Sequence, residues 1–249
     1  MKKFRKLIPA LCMLLVSALF VGTSTYAWFS MNTSVSATNM QVTAKSDNIY
    51  LQISQSGQNA YDKTATSTED TSKVIYPVDY KELAAGTVTW GNAASDNPAK
   101  VKYTERADLN AITGDDEIAK YVLTQKFDIK VADAQATAAN LILSEVNVTG
   151  DSIMKEALRV VVVSNTGAVV WANDGAKEKG VELPGAGKVT VADGNNLAAT
   201  VSNTPTTVTV YVYFSGNDDT CYTDNIKNAF KNMKVDLTFT ALAPSQAAN

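Results

Sequence analysis

Apolar and polar residues alternate over much of the chain, and this period of two predicts β-strands. Three segments in the second half alternate most clearly, each with its apolar residues on one face. They are Tyr121, Leu123, Phe127, Ile129 and Val131, then Val208, Val210, Val212 and Phe214, and finally Val235, Leu237 and Phe239. Leu158 to Val163 is apolar apart from Arg159, which is typical of a strand buried on both faces. Asn165-Thr166-Gly167 follows and predicts a hairpin turn into Val169 to Trp171.

Helical and loop signals are fewer. Ile226, Ala229, Phe230 and Met233 recur at helical spacing and predict a short helix over residues 223–232. Residues 54–73 and 91–118 are polar and predict long surface loops, the second with room for one more short helix. Many short strands with one or two short helices predict an all-β, jelly-roll-like β-sandwich, which we place at residues 46–249.

Residues 28–45 have an extended character of their own. Val35 and Ala37 alternate with polar neighbours, and Met40 and Val42 do so in a shifted phase, with a break near Asn39. A shift by one residue moves the apolar set to the other face, so the pattern indicates a bulge or two separate strands. We therefore treat residues 28–45 as an extended segment that precedes the sandwich.

The first 27 residues resemble a cleavable signal peptide rather than part of the fold. Four basic residues, Lys2, Lys3, Arg5 and Lys6, precede the apolar stretch Leu7 to Val21, and Thr25-Tyr26-Ala27 supplies a cleavage site. The apolar stretch is shorter than the roughly 20 residues that span a bilayer, which makes a retained membrane anchor the weaker alternative. The pattern predicts cleavage between Ala27 and Trp28 and a protein secreted to the cell surface or extracellular matrix.

Composition narrows the range of partners. Apolar residues make up 45% of the chain and charged residues 19%, enough apolar material for a core. Loss of residues 1–27 removes four of the 22 basic residues and none of the 25 acidic ones, which leaves a net charge of −7. An acidic chain lacks the basic footprint of a nucleic-acid-binding protein, and we expect membrane contact only through the uncleaved signal peptide. Cys221 alone remains, either as a buried thiol or in an intermolecular disulfide.

The residues of the chain give little support for a catalytic function. The chain has no histidine, which excludes histidine-based triads and imidazole-ligated zinc sites, and we expect no catalytic, cofactor-binding or metal-ligating residue. Asp115-Asp116-Glu117 and Asp218-Asp219 lack the spacing of a calcium loop and are interpreted as solvated turns. Tyr211 and Tyr213 share the face opposite Val210 and Val212, where they either stack on a sugar or a neighbouring subunit or form the second layer of a buried strand.

The cleavage region carries a family resemblance. Thr25-Tyr26-Ala27-Trp28-Phe29-Ser30, followed by Val35-Ser36-Ala37 and Met40-Gln41-Val42, resembles the TasA and camelysin family of Gram-positive bacteria. The stretch from Val208 to Cys221 and the final strand at Val235 to Thr240 are similar to that family's closing elements. The resemblance implies a jelly-roll subunit of biofilm matrix fibres, released by a dedicated signal peptidase. It also implies a donor strand, here Val35, Ala37, Met40 and Val42, that completes the next subunit's sheet.

Two functions remain open from the sequence. The first is a structural fibre subunit that self-associates and contacts other matrix or cell-surface proteins. The second is a monomeric adhesin or carbohydrate- or protein-binding module that uses the long loops. Residues 28–45 can correspondingly pair in two ways, because the same alternating strand fits either a neighbour's sheet or the sheet of its own chain. An enzyme is the least supported class, and the protease activity described for some camelysin-like proteins does not carry over to a chain without histidine.

Overall fold

The alternating segments form strands in a computed structural model of the chain, which describes residues 41–46, 51–68, 76–92, 106–134, 136–150, 156–172, 177–178, 181–182, 196–218, 221 and 233–242. All of these residues belong to one unit, Thr38–Asn249. The strands are β1 (Gln41–Ser46), β2 (Leu51–Gln55), β3 (Thr64–Thr68), β4 (Asp79–Ala84), β5 (Thr87–Asn92), β6 (Asn110–Ile112), β7 (Leu123–Val131), β8 (Ala138–Thr149), β9 (Leu158–Ser164), β10 (Ala168–Ala172), β11 (Lys177–Glu178), β12 (Val181–Glu182), β13 (Asn196–Val201), β14 (Thr206–Phe214) and β15 (Lys234–Leu242). The described helical pieces are a 3-10 turn, Arg106–Asp108, and one α-helix, α1 (Asp115–Ile118).

Two five-stranded sheets form the body of the fold. Sheet 1 has the order β13-β8-β15-β1-β3 and sheet 2 the order β10-β9-β14-β7-β2. Their inner faces share one core, in which Phe127, Trp171, Phe214 and Phe239 are fully buried. Two sheets that meet face to face over an apolar core make a β-sandwich, so the predicted all-β sandwich is confirmed.

The order of the strands is that of a jelly roll with two additions. Without β1 and β2, two four-stranded sheets remain, β13-β8-β15-β3 and β10-β9-β14-β7. The chain passes from one sheet to the other at each step between these eight strands except at the β9–β10 hairpin. Eight strands wound between two sheets are the jelly-roll arrangement. β2 adds to the edge of sheet 2, whereas β1 is inserted between β15 and β3.

A third sheet explains why β9, the most apolar strand, is buried on both faces. Sheet 3, with the order β4-β5-β6, packs Tyr80 and Trp90 against Val161, Val163 and Tyr213 on the outer face of sheet 2. Sheet 1 covers the other face of the same strand, β9. All seven residues of β9 are therefore buried, as its apolar sequence predicts.

The two polar segments are more ordered than predicted. Residues 54–73 were expected to form a surface loop, yet Thr64–Thr68 forms β3 and buries Ala65 and Ser67. Residues 91–118 contain β6 and the buried Leu109, together with the short helix α1 that was expected there. The loop prediction failed at β3 because its inward side chains are small or polar, so the strand carries no apolar signal. The helix predicted over residues 223–232 lies outside the described residues.

Candidate functional site

The first strand is the part of the predicted donor segment that the structure describes. Val42 lies in β1, whereas Ala27, Trp28, Val35, Ala37 and Met40 lie outside the described residues. β1 runs parallel to β15, with Val42 opposite Val235, and antiparallel to β3, with Val42 opposite Ser67. We call the gap that β1 fills between β15 and β3 the β1 slot. A strand in this slot forms backbone hydrogen bonds on both of its edges.

The inward side chains of β1 are part of the sandwich core. Val42 is 2% exposed and Ala44 is fully buried. Ala44 lies between Leu237 on β15 and Ala65 on β3. The β15 side of the slot is therefore bulky and apolar, since Val235 and Leu237 face the same core, whereas the β3 side offers only Ala65 and Ser67. The occupant of the slot gains most of its apolar contact from β15.

β1 crosses the boundary predicted between residues 45 and 46. The strand runs to Ser46, and Val42 and Ala44 pack in the core of their own chain. In this structure residues 41–46 therefore pair within their own chain, which is the intramolecular alternative. Val-Thr-Ala fits a half-buried strand in any sheet, so its pattern alone does not tell which chain supplies that sheet. Donation of the strand to a neighbour stays a prediction.

A buried polar cluster fastens sheet 3 to sheet 2. The fully buried Asp79, at the start of β4, accepts hydrogen bonds from Ser215 Oγ at 2.7 Å, Tyr213 Oη at 3.2 Å and Arg106 at 2.8 Å. Arg106 also lies over the Tyr80 ring, 3.5 Å from its centroid. Burial raises the pKa of Tyr213 well above its usual value, so its hydroxyl stays protonated and remains a donor. The ion pair joins the fully buried Asp79 to the half-buried Arg106, so the charge of Asp79 is partnered, as in a structural anchor.

The aromatic and acidic residues singled out in the sequence take different places. Tyr213 is fully buried beneath sheet 3, and Tyr211 is half-buried with its ring 5.5 Å from that of Trp90, which confirms the interpretation as a second layer. Asp115 and Asp116 are exposed, as expected for a solvated segment, but Glu117 is half-buried and the three residues begin the helix α1 rather than a turn.

Asp218 is not in a solvated turn. It forms an ion pair at 3.4 Å with the buried Arg159, the one charged residue of β9. A cation within an otherwise apolar strand requires such a partner, so Arg159 was the sequence signal for this pair.

Cys221 has the character of a buried structural thiol. It is 2% exposed, and burial raises the pKa of its thiol to about 12. The thiol is therefore protonated at neutral pH and is a poor nucleophile, which favours the buried alternative over an intermolecular disulfide. Within the described ranges, no group of three or more Cys, Asp or Glu residues is placed to hold a metal ion. None of the helices in the same ranges has the length and apolar character needed to cross a membrane.

Comparisons with known proteins add no relative. No protein-family model, no curated protein and no solved structure matches the chain. The similarity to the TasA and camelysin family therefore stays a prediction from the residues that carry it.

Proposed function

We propose that this chain is a structural subunit of an extracellular fibre or biofilm matrix, in which an N-terminal strand from one subunit fills the β1 slot of the next. The observation that carries the proposal is the position of β1. It is an additional strand between β15 and β3, and without it the eight remaining strands have a jelly-roll order. Because β1 is the first described strand, it connects to the following strand only through residues 47–50. Among the described residues, withdrawal of β1 breaks no other chain connection of the sandwich.

The energetics of exchange are balanced. The burial of Val42 stabilises the filled slot by about 1.5–3 kcal/mol, and each backbone hydrogen bond adds about 0.5–1.5 kcal/mol net. A strand with the same sequence makes the same contacts when another subunit donates it, so exchange between subunits costs little in contacts. The choice between the two arrangements then depends on protein concentration and on the residues that connect the strand to each body.

The remaining sequence features agree with a structural role. The signal-peptide pattern before Trp28 supports a location outside the cell, and a chain without histidine lacks the commonest general base. We therefore propose a secreted, non-enzymatic protein without a cofactor, whose main partner is a second copy of itself.

The first test concerns processing. If residues 1–27 are a signal peptide, the secreted protein begins with Trp28-Phe29-Ser30, because Thr25-Tyr26-Ala27 supplies the small residues that a signal peptidase requires. N-terminal sequencing of protein from the culture medium measures this directly. A secreted chain that retains Met1, or one that begins several residues from Trp28, contradicts the proposed cleavage.

The second test concerns assembly. Purified protein comprising residues 28–249 is expected to form high-molecular-weight species in size-exclusion chromatography and fibres in electron microscopy. Assembly should increase with protein concentration, because exchange between subunits competes with the intramolecular strand. A protein that stays monomeric over a wide concentration range contradicts the fibre proposal and favours the adhesin alternative.

A further inference from the structure

Strand β3 closes one side of the β1 slot and has little apolar contact with the core. It is the edge strand of sheet 1, and β1 is its neighbour within that sheet. Its inward side chains are Ala65 and Ser67, while Thr64 and Thr66 are exposed. The opposite edge strand of the same sheet, β13, buries Leu197, Ala198 and Val201. Since apolar burial is the main term that fixes a strand to a core, β3 is the weaker of the two edges.

Besides its backbone ladder with β1, polar side-chain contacts hold β3 in place. Ser67 Oγ donates a hydrogen bond to Oε1 of Gln125, which lies on β7 of sheet 2 and is 7% exposed. Ser67 Oγ also accepts a hydrogen bond at 3.3 Å from Nε2 of Gln55, on β2. The Gln55 side chain in turn accepts a bond from Gln58 Nε2 at 2.7 Å. This chain of polar groups joins the free edge of sheet 1 to sheet 2.

The chain before β3 is fixed more firmly. Asp62 exchanges two backbone hydrogen bonds with Ile53 of β2, of 2.7 Å and 3.0 Å. Ile53 is fully buried, so this pairing is anchored in the core. β3 therefore has a fixed point at Asp62 and a weakly held body at residues 64–68, which is the geometry of a flap.

We propose that β3 is a flap whose opening admits and releases the strand in the β1 slot, and that the hydrogen bonds of Ser67 to Gln125 and Gln55 control the opening. Without the flap, the slot is bounded by β15 alone and is open from the side, so a strand enters without being threaded lengthwise between two neighbours. The regulatory role of the flap rests on the proposed function, because opening of β3 would be the step that regulates strand exchange. The opening itself is measured in the monomeric subunit and does not require fibres.

Amide hydrogen exchange with mass spectrometry tests the flap in the protein comprising residues 28–249, at a concentration where it is monomeric. Residues 64–68 are expected to exchange at least about tenfold faster than the matched edge, residues 196–201, because local opening limits exchange. Ser67→Ala removes both side-chain hydrogen bonds and should accelerate exchange in β3 and β1 by about a further 5- to 150-fold, the range for two lost hydrogen bonds. Thr66→Ala, on the exposed face of the same strand, should leave both rates unchanged.

Two results would contradict the flap proposal. One is that the two edge strands, β3 and β13, exchange their amide hydrogens at equal rates. The other is that Ser67→Ala does not accelerate exchange in β3, or accelerates exchange in β13 equally. If the proposed function also holds, Ser67→Ala shortens the lag before fibres appear, whereas Thr66→Ala does not. If the exchange rates of β3 are as expected but no variant forms fibres, the fibre proposal is contradicted and the flap proposal is not. The failure of one proposal is therefore distinguishable from the failure of the other.

Discussion

A disulfide between positions 43 and 66 is expected to abolish assembly. Thr43 on β1 lies directly opposite Thr66 on β3, and Thr66 is exposed. Opposite residues in an antiparallel pair have Cα atoms about 4.5–5.5 Å apart, within the range that a disulfide spans. The variant Thr43→Cys/Thr66→Cys, oxidised as a monomer, keeps β1 in the slot of its own chain. Size-exclusion chromatography and electron microscopy should then show monomers only, and reduction should restore assembly.

The order of oxidation distinguishes donation from any other mode of assembly. If the reduced variant assembles first, residue 43 of one subunit faces residue 66 of its neighbour, and oxidation then yields a ladder of covalent oligomers in a denaturing gel. A monomeric band from oxidised fibres would show that each subunit keeps its own β1, and donor-strand assembly would be wrong. The matched control is Ala139→Cys/Thr200→Cys, another opposed pair in sheet 1, between β8 and β13. That bond leaves the slot free and should not prevent assembly.

Replacement of Val42 by aspartate is expected to lower the free energy of unfolding of the isolated subunit by about 4 kcal/mol. Val42 is 2% exposed and faces the core beside Val235. The variant loses about 1.5–3 kcal/mol of apolar burial, and an unpaired polar group buried in its place costs about 1–3 kcal/mol more. A total of about 4 kcal/mol is a large part of the 5–15 kcal/mol that stabilises a typical domain. Urea denaturation followed by circular dichroism measures the change in the free energy of unfolding.

The control for this substitution is Thr66→Asp, which introduces the same charge on the exposed face of the adjacent strand. Surface changes of this kind alter stability by about 0.5 kcal/mol or less. If Val42→Asp is equally mild, the core position of β1 is wrong and residues 41–46 spend most of their time outside the slot of their own chain. Deletion of residues 28–45 is also expected to destabilise the subunit, because it removes the buried Val42 and Ala44.

The sequence predicted the elements that bury large side chains. Val208, Val210 and Val212, for example, alternate without a break, and the structure places them in β14 in the middle of sheet 2. The Asn165-Thr166-Gly167 turn was also predictable. A Cβ atom at residue 167 would lie 1.8 Å from the carbonyl oxygen of Asn196, so this turn requires glycine for close approach.

The candidate site was less accessible to sequence reasoning. Alternation at Val42 predicts a strand but not its neighbours, and its pairing depends on contacts with β15, which is almost 200 residues later in the chain. β3 was missed because Ala65 and Ser67 are too small or too polar to stand out from a loop. The Asp79 cluster was missed because its partners, Arg106, Tyr213 and Ser215, come together only when sheet 3 packs on sheet 2.

Each chain has one β1 strand and one β1 slot, and the two are different surfaces. Two subunits that exchange β1 strands reciprocally close into a domain-swapped dimer, whereas successive one-way donation from copy to copy grows into a ring or an open filament. A filament assembled in this way is polar. Its first subunit has a strand that no neighbour accepts, its last has a slot that no neighbour fills, and growth at the two ends is expected to proceed at different rates.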